Sequence, residues 1–521
     1  MQRQRTRSLR YVSVIIAAAV LSAAVWLWAG GREHSPPAKT EEGTMSAGAV
    51  PEQAQTDKLI MMFPAGSTPR DLPLVQAAIN ERLKPLIDAT VELRPVDMGG
   101  WWDKTNLMFA KNEQIDLLFT AGWMRFGDEA AKGRFLPLSD LLRGYGEAIT
   151  ATLDPSIVEA GQINGQIYGI AVNKEFAASK GVVMRKDLVE KYDIDLSGVR
   201  QLSDLTPILL TIKENEPGMV PLQAGADRSP FTFMMQYGLF DMLGDGPGVL
   251  DRESRVTQVV NMVETPQFET YAKLMHAWNK AGFFNLDAAV SKDYEFEAVK
   301  AGSAFAYAES FKPGFDNQAS RDTGMPMVTV TLTKPYTTTA DTTSAMFAIP
   351  RTSKHPEKAM RLLNLLYADR ELLNLLDWGI EGKHYVMKGE GIIDYPPGVD
   401  AKTTGYNLNQ PWIFGNQMHS YLWANENPLL WEEYKAFNAQ AEPSLALGFV
   451  FNPDPVKTEI AACGNVDQMF APAINSGAVD PAIVLPMYKE KLKAAGADVV
   501  IREKQRQLDA WVRSRTDGGA R

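Results

Sequence analysis

Lys58-Leu-Ile-Met-Met-Phe63 and Ile115-Asp-Leu-Leu-Phe119 are short apolar runs of strand length. Between them lie an amphipathic helical segment at 72–87, an apolar strand at 91–96 and a second helical segment at 101–112. The order strand, helix, strand, helix, strand predicts a βαβαβ unit, which requires a parallel sheet. We therefore expect an α/β protein.

Trp123 lies four residues beyond the last of these strands. Ligands of open parallel sheets bind beyond the carboxyl ends of the strands, so this indole is a candidate site residue. It could equally serve to cover the end of the sheet, and both interpretations stay open here.

The alternation of strands and helices continues along the chain. Strands are predicted at 166–172, at 304–308 and at 325–332. A further strand is predicted at 344–349. Pro356 then begins a strong helix, because proline is well suited to the first helical turn.

The composition excludes several classes of protein. The chain has 521 residues, too many for one hydrophobic core, so two or more domains are expected. Its 53 Lys and Arg against 63 Asp and Glu give a net charge of −10, which argues against a nucleic-acid partner. The single cysteine, Cys463, can form neither a disulfide framework nor a cysteine-based zinc site.

The N-terminus has the pattern of an export signal. Four arginines within residues 3–10 precede an apolar run at 11–30. That run is long enough to span a membrane, yet the small residues at 22–24 offer a cleavage site, so a signal peptide and an N-terminal membrane anchor both remain possible. The polar segment at 31–56 has no apolar periodicity and is predicted to be a disordered tether.

Motifs for metal or nucleotide chemistry are weak. Asp193-Ile-Asp-Leu-Ser-Gly198, with Asp204 at the twelfth position, has the outline of a calcium loop, but apolar residues at its second and fourth positions favour a structural turn. Gly244-Asp-Gly-Pro-Gly248 lacks the lysine of a phosphate-binding loop and is interpreted as a plain loop. Neither His-Glu-x-x-His nor Gly-x-Ser-x-Gly occurs, so no metal and no cofactor are expected.

Several stretches carry a resemblance to a known family. They are Lys334-Pro-Tyr336, the segment from Ser353 to Tyr367, and Gly379-Ile-Glu-Gly-Lys-His-Tyr385, with two tail segments at 448–460 and 507–511. The chain resembles extracellular solute-binding proteins of carbohydrate ABC importers, in particular the lipoprotein LipO-like group. The tail resembles the C-terminal domain of unknown function of that group. The resemblance covers about 57–513, but the lipid-modified cysteine usual at the signal end of this group is missing.

The resemblance implies a type 2 periplasmic-binding-protein fold, in which two α/β lobes are joined by crossing strands and a C-terminal extension follows. We expect the first crossing near Tyr168–Asn173 and the return crossings near Ala308–Phe311 and Thr331–Thr342. The expected bounds are 57–171 plus about 301–340 for lobe I, 172–300 plus about 341–446 for lobe II, and 447–521 for the C-terminal domain, after a signal peptide or anchor at 1–30 and the tether at 31–56.

The same resemblance implies binding without bond-making. A sugar needs aromatic side chains for its CH faces and polar groups for its hydroxyls. The candidate ligand-binding residues near the hinge are Trp123, Asn173, Phe176, Tyr307, Glu309 and Tyr336. Second choices are Trp101, Trp102, Trp378, His384 and Trp412. For each aromatic residue the alternative is core packing, and for Asn173 and Glu309 it is a cap or a surface contact.

The function implied is a receptor, not an enzyme, that hands a saccharide to the permease subunits of an ABC importer. The body is expected to be monomeric, to use no cofactor and to bind no nucleic acid. It would touch the membrane only through its N-terminal segment, at the outer face of the cell membrane, or be secreted if that segment is cleaved. The alternatives are a surface sensor or adhesion protein on the same fold, and a carbohydrate-active hydrolase that uses a pair of carboxylates.

Overall fold

The structure is a computed structural model that describes residues 56–163, 165–292 and 294–518. The predicted signal peptide or anchor at 1–30, and all of the predicted tether except Thr56, lie outside the described residues. Among the helices that are described, none combines the length and the apolar character needed to cross a membrane.

Most of the described strands are short, and the longest have eight residues. In chain order they are β1 (Asp57–Pro64), β2 (Ala89–Val96), β3 (Leu117–Thr120), β4 (Gln162–Ile163), β5 (Gln166–Ile167), β6 (Ile170–Ala171), β7 (Ser179–Arg185), β8 (Val220–Gln223), β9 (Phe240–Asp241), β10 (Val249–Asp251), β11 (Val259–Val260), β12 (Ala304–Phe311), β13 (Met327–Thr331), β14 (Tyr336–Thr337), β15 (Met346–Ala348), β16 (Val386–Gly389), β17 (Ile392–Asp394), β18 (Leu422–Trp423) and β19 (Glu442–Pro443).

The helices surround these sheets and fill the C-terminal end of the chain. They are α1 (Leu72–Ile87), α2 (Trp101–Ala110), α3 (Phe126–Ala131), α4 (Ser139–Tyr145), α5 (Glu147–Thr152), α6 (Pro155–Glu159), α7 (Lys186–Lys191), α8 (Thr206–Asn215), α9 (Pro230–Met234), α10 (Pro266–Lys280), α11 (Glu295–Lys300), α12 (Phe315–Thr323), α13 (Thr339–Thr342), α14 (Pro356–Ala368), α15 (Arg370–Trp378), α16 (Leu430–Gln440), α17 (Lys457–Asn475), α18 (Pro481–Ala494) and α19 (Ala497–Gly518).

Lobe I is built on a five-stranded sheet in the order β2-β1-β3-β15-β6. β1 is parallel to β2 and β3, and the predicted βαβαβ unit is confirmed. β15 is antiparallel to both β3 and β6, so β6 runs in the same direction as β3. The carboxyl ends of β1, β2, β3 and β6 therefore lie at one edge of the sheet, and the chain leaves lobe I at that edge.

Helices α1, α14 and α15 cover this sheet with apolar stripes. Pro356 occupies the first turn of α14, as predicted, and the helix buries Leu362, Leu363 and Leu366 against the sheet. Arg82 of α1 pairs with Asp369, the N-cap of α15, at 2.7 Å, which ties the two helices together.

Lobe II is built on a four-stranded sheet in the order β13-β7-β12-β8. β12 is parallel to β8 and antiparallel to β7, while β13 is also antiparallel to β7. The carboxyl ends of β8, β12 and β13 therefore share an edge with the amino end of β7, where the chain enters. Both sheets thus direct the edge that contains the carboxyl ends of their parallel strands toward the segments that join them.

Three segments connect the lobes and form a hinge. The first runs between β6 and β7, the second between β13 and β15, and the third contains β19. Ala178 and Tyr336 exchange backbone hydrogen bonds of 3.1 and 3.2 Å, and β14 pairs in parallel with β19. The hinge is therefore a small ladder of three extended segments, which restrains sliding of the lobes but permits bending.

Two of the three predicted crossings lie where the chain passes between the sheets. The passage from β6 to β7 follows the region predicted at Tyr168–Asn173, and the passage from β13 to β15 contains Thr331–Thr342. The crossing predicted at Ala308–Phe311 is wrong, because these residues pair with β7 in the middle of lobe II. The third segment, at Glu442–Pro443, was not predicted.

The same strand pairings correct the predicted lobe boundaries. Most of 301–340 belongs to lobe II, since β12 and β13 lie in its sheet, and β15, just after 341, belongs to lobe I. The prediction assigned 301–340 and the segment after 341 to the wrong lobes. An apolar strand pattern indicates that a strand is buried, but it does not indicate which sheet the strand joins.

The C-terminal helices α17–α19 pack on lobe II and share its core. Cys463, Ile474, Leu485 and Leu492 belong to the same buried cluster as Met275 of α10. Lys504 of α19 is fully buried, and its ammonium donates to the carbonyl oxygens of the loop at 242–248 at 2.9–3.4 Å. The glycine-rich segment Gly244–Gly248 is thus a loop, as predicted, and it fastens the tail to lobe II.

Candidate functional site

The space between the two strand edges, beside the hinge, is called the cleft below. Its lobe I wall follows the carboxyl ends of β2 and β3, and its lobe II wall follows β8, β12 and the amino end of β7. This placement results from strand direction alone, because segments that leave parallel strands emerge at the same edge.

Trp123 stands on the lobe I wall with 56% of its surface exposed. Its indole Nε1 donates to the carbonyl oxygen of Ser344 at 2.8 Å, which fixes the ring while leaving its apolar surface free. A Cβ atom on the neighbouring Gly122 would lie 2.7 Å from Oγ1 of Thr343, so a larger residue there would force Thr343 to shift. Trp123 is therefore an oriented aromatic surface whose polar atom already has a partner.

Two other tryptophans follow β2. Trp102 lies on the lobe I wall of the cleft, and Trp101 lies in the core of lobe I. Trp102 is 36% exposed, and the guanidinium carbon of Arg125 lies 5.5 Å from its ring centroid. Trp101 is buried and packs edge-on against Phe119 of β3, with ring centroids 6.5 Å apart. Trp412 packs against the same phenylalanine at 6.1 Å and is partly buried.

The lobe II wall is organised around Arg228, in the loop after β8. Its Nε donates to Glu295 and its Nη2 donates to Glu309, both at 2.7 Å. The guanidinium also lies 5.4 Å from the ring centroid of Phe233 and 5.2 Å from that of Tyr294, which is 59% exposed. Two carboxylates and two rings thus hold Arg228 in one orientation.

Glu295 is the buried member of this network. Its side chain is 2% exposed, and burial raises the pKa of its carboxyl although the hydrogen bond from Arg228 opposes the shift. Its second oxygen, Oε1, is buried and has no hydrogen-bond partner in the structure. Glu295 therefore depends on Arg228 for its charge compensation.

Lys180 and Tyr237 lie nearer the hinge on the same wall. Lys180 is buried, its Nζ donates to Oγ of Ser310 at 2.8 Å, and it lies 5.6 Å from the centroid of the Tyr237 ring. Burial lowers the pKa of Lys180 to about 8, against the attraction of Asp341. Tyr237 is 45% exposed and belongs to a π-helical turn at Met235–Leu239, an irregularity frequent at functional sites.

Of the six candidates, Trp123 and Glu309 lie on the walls of the cleft. Tyr336 lies in the hinge, where its ring is 4.2 Å from the guanidinium carbon of Arg252. Asn173 and Phe176 lie in the first crossing: Nδ2 of Asn173 donates to Oδ1 of Asn416 at 2.7 Å, and the Phe176 backbone N–H donates to Asn438.

The remaining candidates make contacts inside the lobes that stabilise the fold. Tyr307 is 3% exposed and belongs to an apolar cluster with Val183 and Val299, which is the core-packing alternative. Trp378 donates to Oγ of Ser420 within lobe I. His384 is buried with its Nε2 atom 3.2 Å from the Asp71 carboxylate, and it holds the start of α1.

Sequence reasoning missed most of the lobe II wall. Arg228, Tyr237, Tyr294 and Lys180 were not among the candidates. The sequence does contain a pattern that could have identified Arg228. Val220-Pro-Leu-Gln223 is a short strand, and it is followed by a loop that contains Gly and Ser. Had that strand been recognised, the rule that ligands bind beyond carboxyl ends would have pointed to Arg228.

The loop at Asp193–Asp204 is a turn. Asp195 accepts the backbone N–H of Ser197, and Asp204 accepts the backbone N–H groups of Arg200 and Gln201 as it caps the following helical turn. In the part of the chain that the structure describes, no cluster of three or more His, Cys, Asp or Glu side chains could hold a metal ion.

The two lobes, the three-segment hinge and the cleft define a two-lobed ligand-binding protein. Residues 65–371 match the family "bacterial extracellular solute-binding protein", and residues 445–513 match a domain of unknown function, DUF3502. The chain belongs to the bacterial extracellular solute-binding protein family. The predicted family, with its characteristic C-terminal domain, is confirmed.

Relatives match over most of their length. A carbohydrate ABC transporter substrate-binding protein of Streptococcus pneumoniae serotype 4 is 32% identical over 471 residues, which cover 88% of this chain and 91% of the relative. The crystal structure of the N-glycan transport solute binding protein NgtS of S. pneumoniae is 30% identical, covers 88% of this chain and 100% of its own, and has a TM-score of 0.80.

A more distant neighbour supports the fold alone. The alginate-binding protein AlgQ2 is 16% identical with a TM-score of 0.58, covering 88% of this chain and 98% of its own. Together with NgtS, it confirms the predicted type 2 fold. The relatives are described as binding proteins, not as enzymes.

Proposed function

We propose that this protein is an exported receptor that encloses an oligosaccharide of mannose and N-acetylglucosamine between its lobes and delivers it to an ABC importer. The observation that carries the proposal is the pairing of two walls at one hinge. Lobe I presents the ring of Trp123, and lobe II presents the Tyr294 ring beside a fixed guanidinium.

The chemistry of the two walls suits a sugar. The CH faces of a pyranose stack on indole and phenol rings, and its hydroxyls take hydrogen bonds from a guanidinium and give them to a carboxylate. Arg228 is held by two carboxylates, so little side-chain entropy is lost when it binds. Closing the lobes would remove water from these contacts and strengthen them.

The comparison with NgtS supports this class of ligand. NgtS has been crystallised with Man1GlcNAc and with Man5GlcNAc. The present structure matches one NgtS structure at a TM-score of 0.80 and the two saccharide complexes at 0.71 and 0.68.

The remaining expectations belong to the same proposal. Export follows from the family, whose members are extracellular, and attachment through the N-terminal segment would keep the body near a permease. A monomeric body leaves both lobes free to contact the permease subunits. Sugar-dependent association of the purified chain with its importer would support this delivery, whereas binding without association would favour a sensor.

Calorimetric titration of the purified chain with Man1GlcNAc and Man5GlcNAc tests the proposal. We expect saturable binding, and stabilisation against unfolding of about 2.7 kcal/mol at a sugar concentration of 100 times Kd. Mass spectrometry of the glycan after incubation is the control. Intact glycan supports a receptor, glycan cleavage would favour the hydrolase alternative, and no binding of either glycan would refute the proposal.

A further inference from the structure

A groove separate from the cleft lies between lobe I and the C-terminal domain. One wall is the hairpin formed by β4 and β5, with Gln162 and Gly165. The other wall consists of Phe449 and Asn452 from the segment after the hinge, and of Arg506 and Trp511 from α19. Its volume is about 380 Å³, within the range of small-molecule sites, about 300–1,000 Å³.

The two tail segments that carry the family resemblance, 448–460 and 507–511, both line this groove. They are joined by Gln507, whose amide accepts the backbone N–H of Asn452 and donates to its carbonyl oxygen, each at 2.9 Å. The tail motifs thus form one wall, held together before any ligand arrives.

The lining has the mixture of groups that suits a saccharide. The Trp511 ring is braced edge-on by Phe449, with centroids 6.0 Å apart, and by the guanidinium of Arg515 at 5.1 Å. Arg506 is oriented by two hydrogen bonds to Glu503 of 2.8 and 2.6 Å. An oriented aromatic ring beside a guanidinium is also found in the cleft, and the groove adds the amide groups of Gln162, Asn452 and Gln507.

A short chain of contacts links the groove to the cleft at Trp123. Oγ1 of Thr339 donates to the carbonyl oxygen of Ala446 at 3.1 Å and accepts the backbone N–H of Gly448, a groove residue, at 2.9 Å. Thr339 begins α13, and the residue two beyond its end, Ser344, holds the indole of Trp123. One helical turn therefore lies between the cleft tryptophan and the groove.

The lobe I wall of the groove is also close to Trp123. α3 begins three residues after Trp123, and a Cβ atom on Gly127 of this helix would lie 3.9 Å from Cδ1 of Ile163 in β4. The hairpin that forms this wall of the groove therefore packs near the helix that follows Trp123.

We propose that the groove is an outer subsite that takes the terminal sugars of a long oligosaccharide whose inner sugars lie in the cleft. This inference rests on the proposed function and assigns the C-terminal domain a role in selecting ligand length. Because the domain shares its core with lobe II while the hairpin belongs to lobe I, a sugar in the groove would contact both lobes and favour closure.

An ion pair crosses the same gap but contributes little. Arg515 and Glu159 lie 3.0 Å apart, and both side chains are more than 40% exposed. Pairs this exposed add little to stability.

Calorimetric titration of the full chain with Man5GlcNAc and with Man1GlcNAc tests the inference. The variants are Trp511→Ala and Gln162→Ala, one on each wall, with Val499→Ala, an exposed residue of α19 outside the groove lining, as the control. We expect Trp511→Ala to raise the Kd for Man5GlcNAc roughly tenfold, Gln162→Ala to raise it about threefold, and both to leave the Kd for Man1GlcNAc within about twofold.

The outcomes separate the two proposals. Equal losses for both glycans, or no loss for either, would overturn the outer subsite while the proposed function stands. If the wild-type chain binds neither glycan, the proposed function fails and the outer subsite fails with it. Circular dichroism checks folding, and if Trp511→Ala is unfolded, Gln162→Ala decides the question from the other wall.

Discussion

The two walls of the cleft differ in how they hold their ligand-facing groups. On lobe I, Trp123 is oriented by one neutral hydrogen bond to a backbone carbonyl. On lobe II, Arg228 is oriented by two ion pairs and two aromatic rings, and one of its carboxylate partners is buried. The lobe I wall can therefore lose its ring with little effect on the fold, whereas the lobe II wall couples binding to stability.

Arg228→Ala should produce the largest effect, because it removes a ligand-facing donor and leaves Glu295 buried without a partner. We expect a loss of about 3 kcal/mol in the free energy of unfolding, together with at least tenfold weaker saccharide binding. Urea unfolding and calorimetry measure the two quantities. Adding Glu295→Gln should restore much of the stability and none of the binding, and restored binding would contradict a direct contact.

Trp123→Ala should weaken binding alone. The exposed indole is expected to contribute about 1.5–2 kcal/mol of stacking and burial, or roughly 10- to 30-fold in Kd. The melting temperature without ligand should not change. Met469→Ala, an exposed residue of α17, is the control. An unchanged affinity in Trp123→Ala would remove this residue from the site.

The buried Lys180 should make stability depend on alkaline pH. Its pKa is about 8 in the folded protein and near 10.5 when unfolded, so the unfolded chain binds more protons between these values. Stability should therefore rise with pH across this window, by at most about 3 kcal/mol.

Urea unfolding of wild type and Lys180→Met from pH 7.5 to 10.5 measures this effect. The groups nearby that also carry charge are Asp341, Arg252 and Glu309, and they are unchanged in the variant. The variant should lose the part of the rise that Lys180 contributes and keep the part due to the buried Lys504, whose pKa burial lowers to about 7. An identical slope in both proteins would show that Lys180 is not its origin.

Glu309→Gln should give the smallest change. Arg228 would keep its ion pair with the buried Glu295, so the guanidinium should stay oriented. We expect about two- to threefold weaker binding and a free energy of unfolding within about 0.5 kcal/mol of wild type. A loss as large as that of Arg228→Ala would mean that Glu309 itself is the main hydrogen-bonding group.

Prediction from the sequence was accurate for local elements and poor for the assembly of lobe II. The strand, helix and turn pattern at 58–119 and the helix beginning at Pro356 are present in the structure. Trp123 was chosen because it follows a recognised strand, and its role as a site residue stays a prediction. Arg228 was missed because β8 was not recognised, and Tyr307 was chosen although its ring packs in the core.

The sequence by itself determined the α/β alternation, the family and the tail that accompanies it. These properties depend on hydrophobic periodicity and on short motifs. Both are patterns of residues that lie only a few positions apart in the chain. Only the tertiary structure decided which sheet β12 and β15 join, that the tail helices complete the core of lobe II, and that Arg228 meets both Glu295 and Glu309. Such contacts join residues far apart in the chain, so their free energy exists only once the strands have paired.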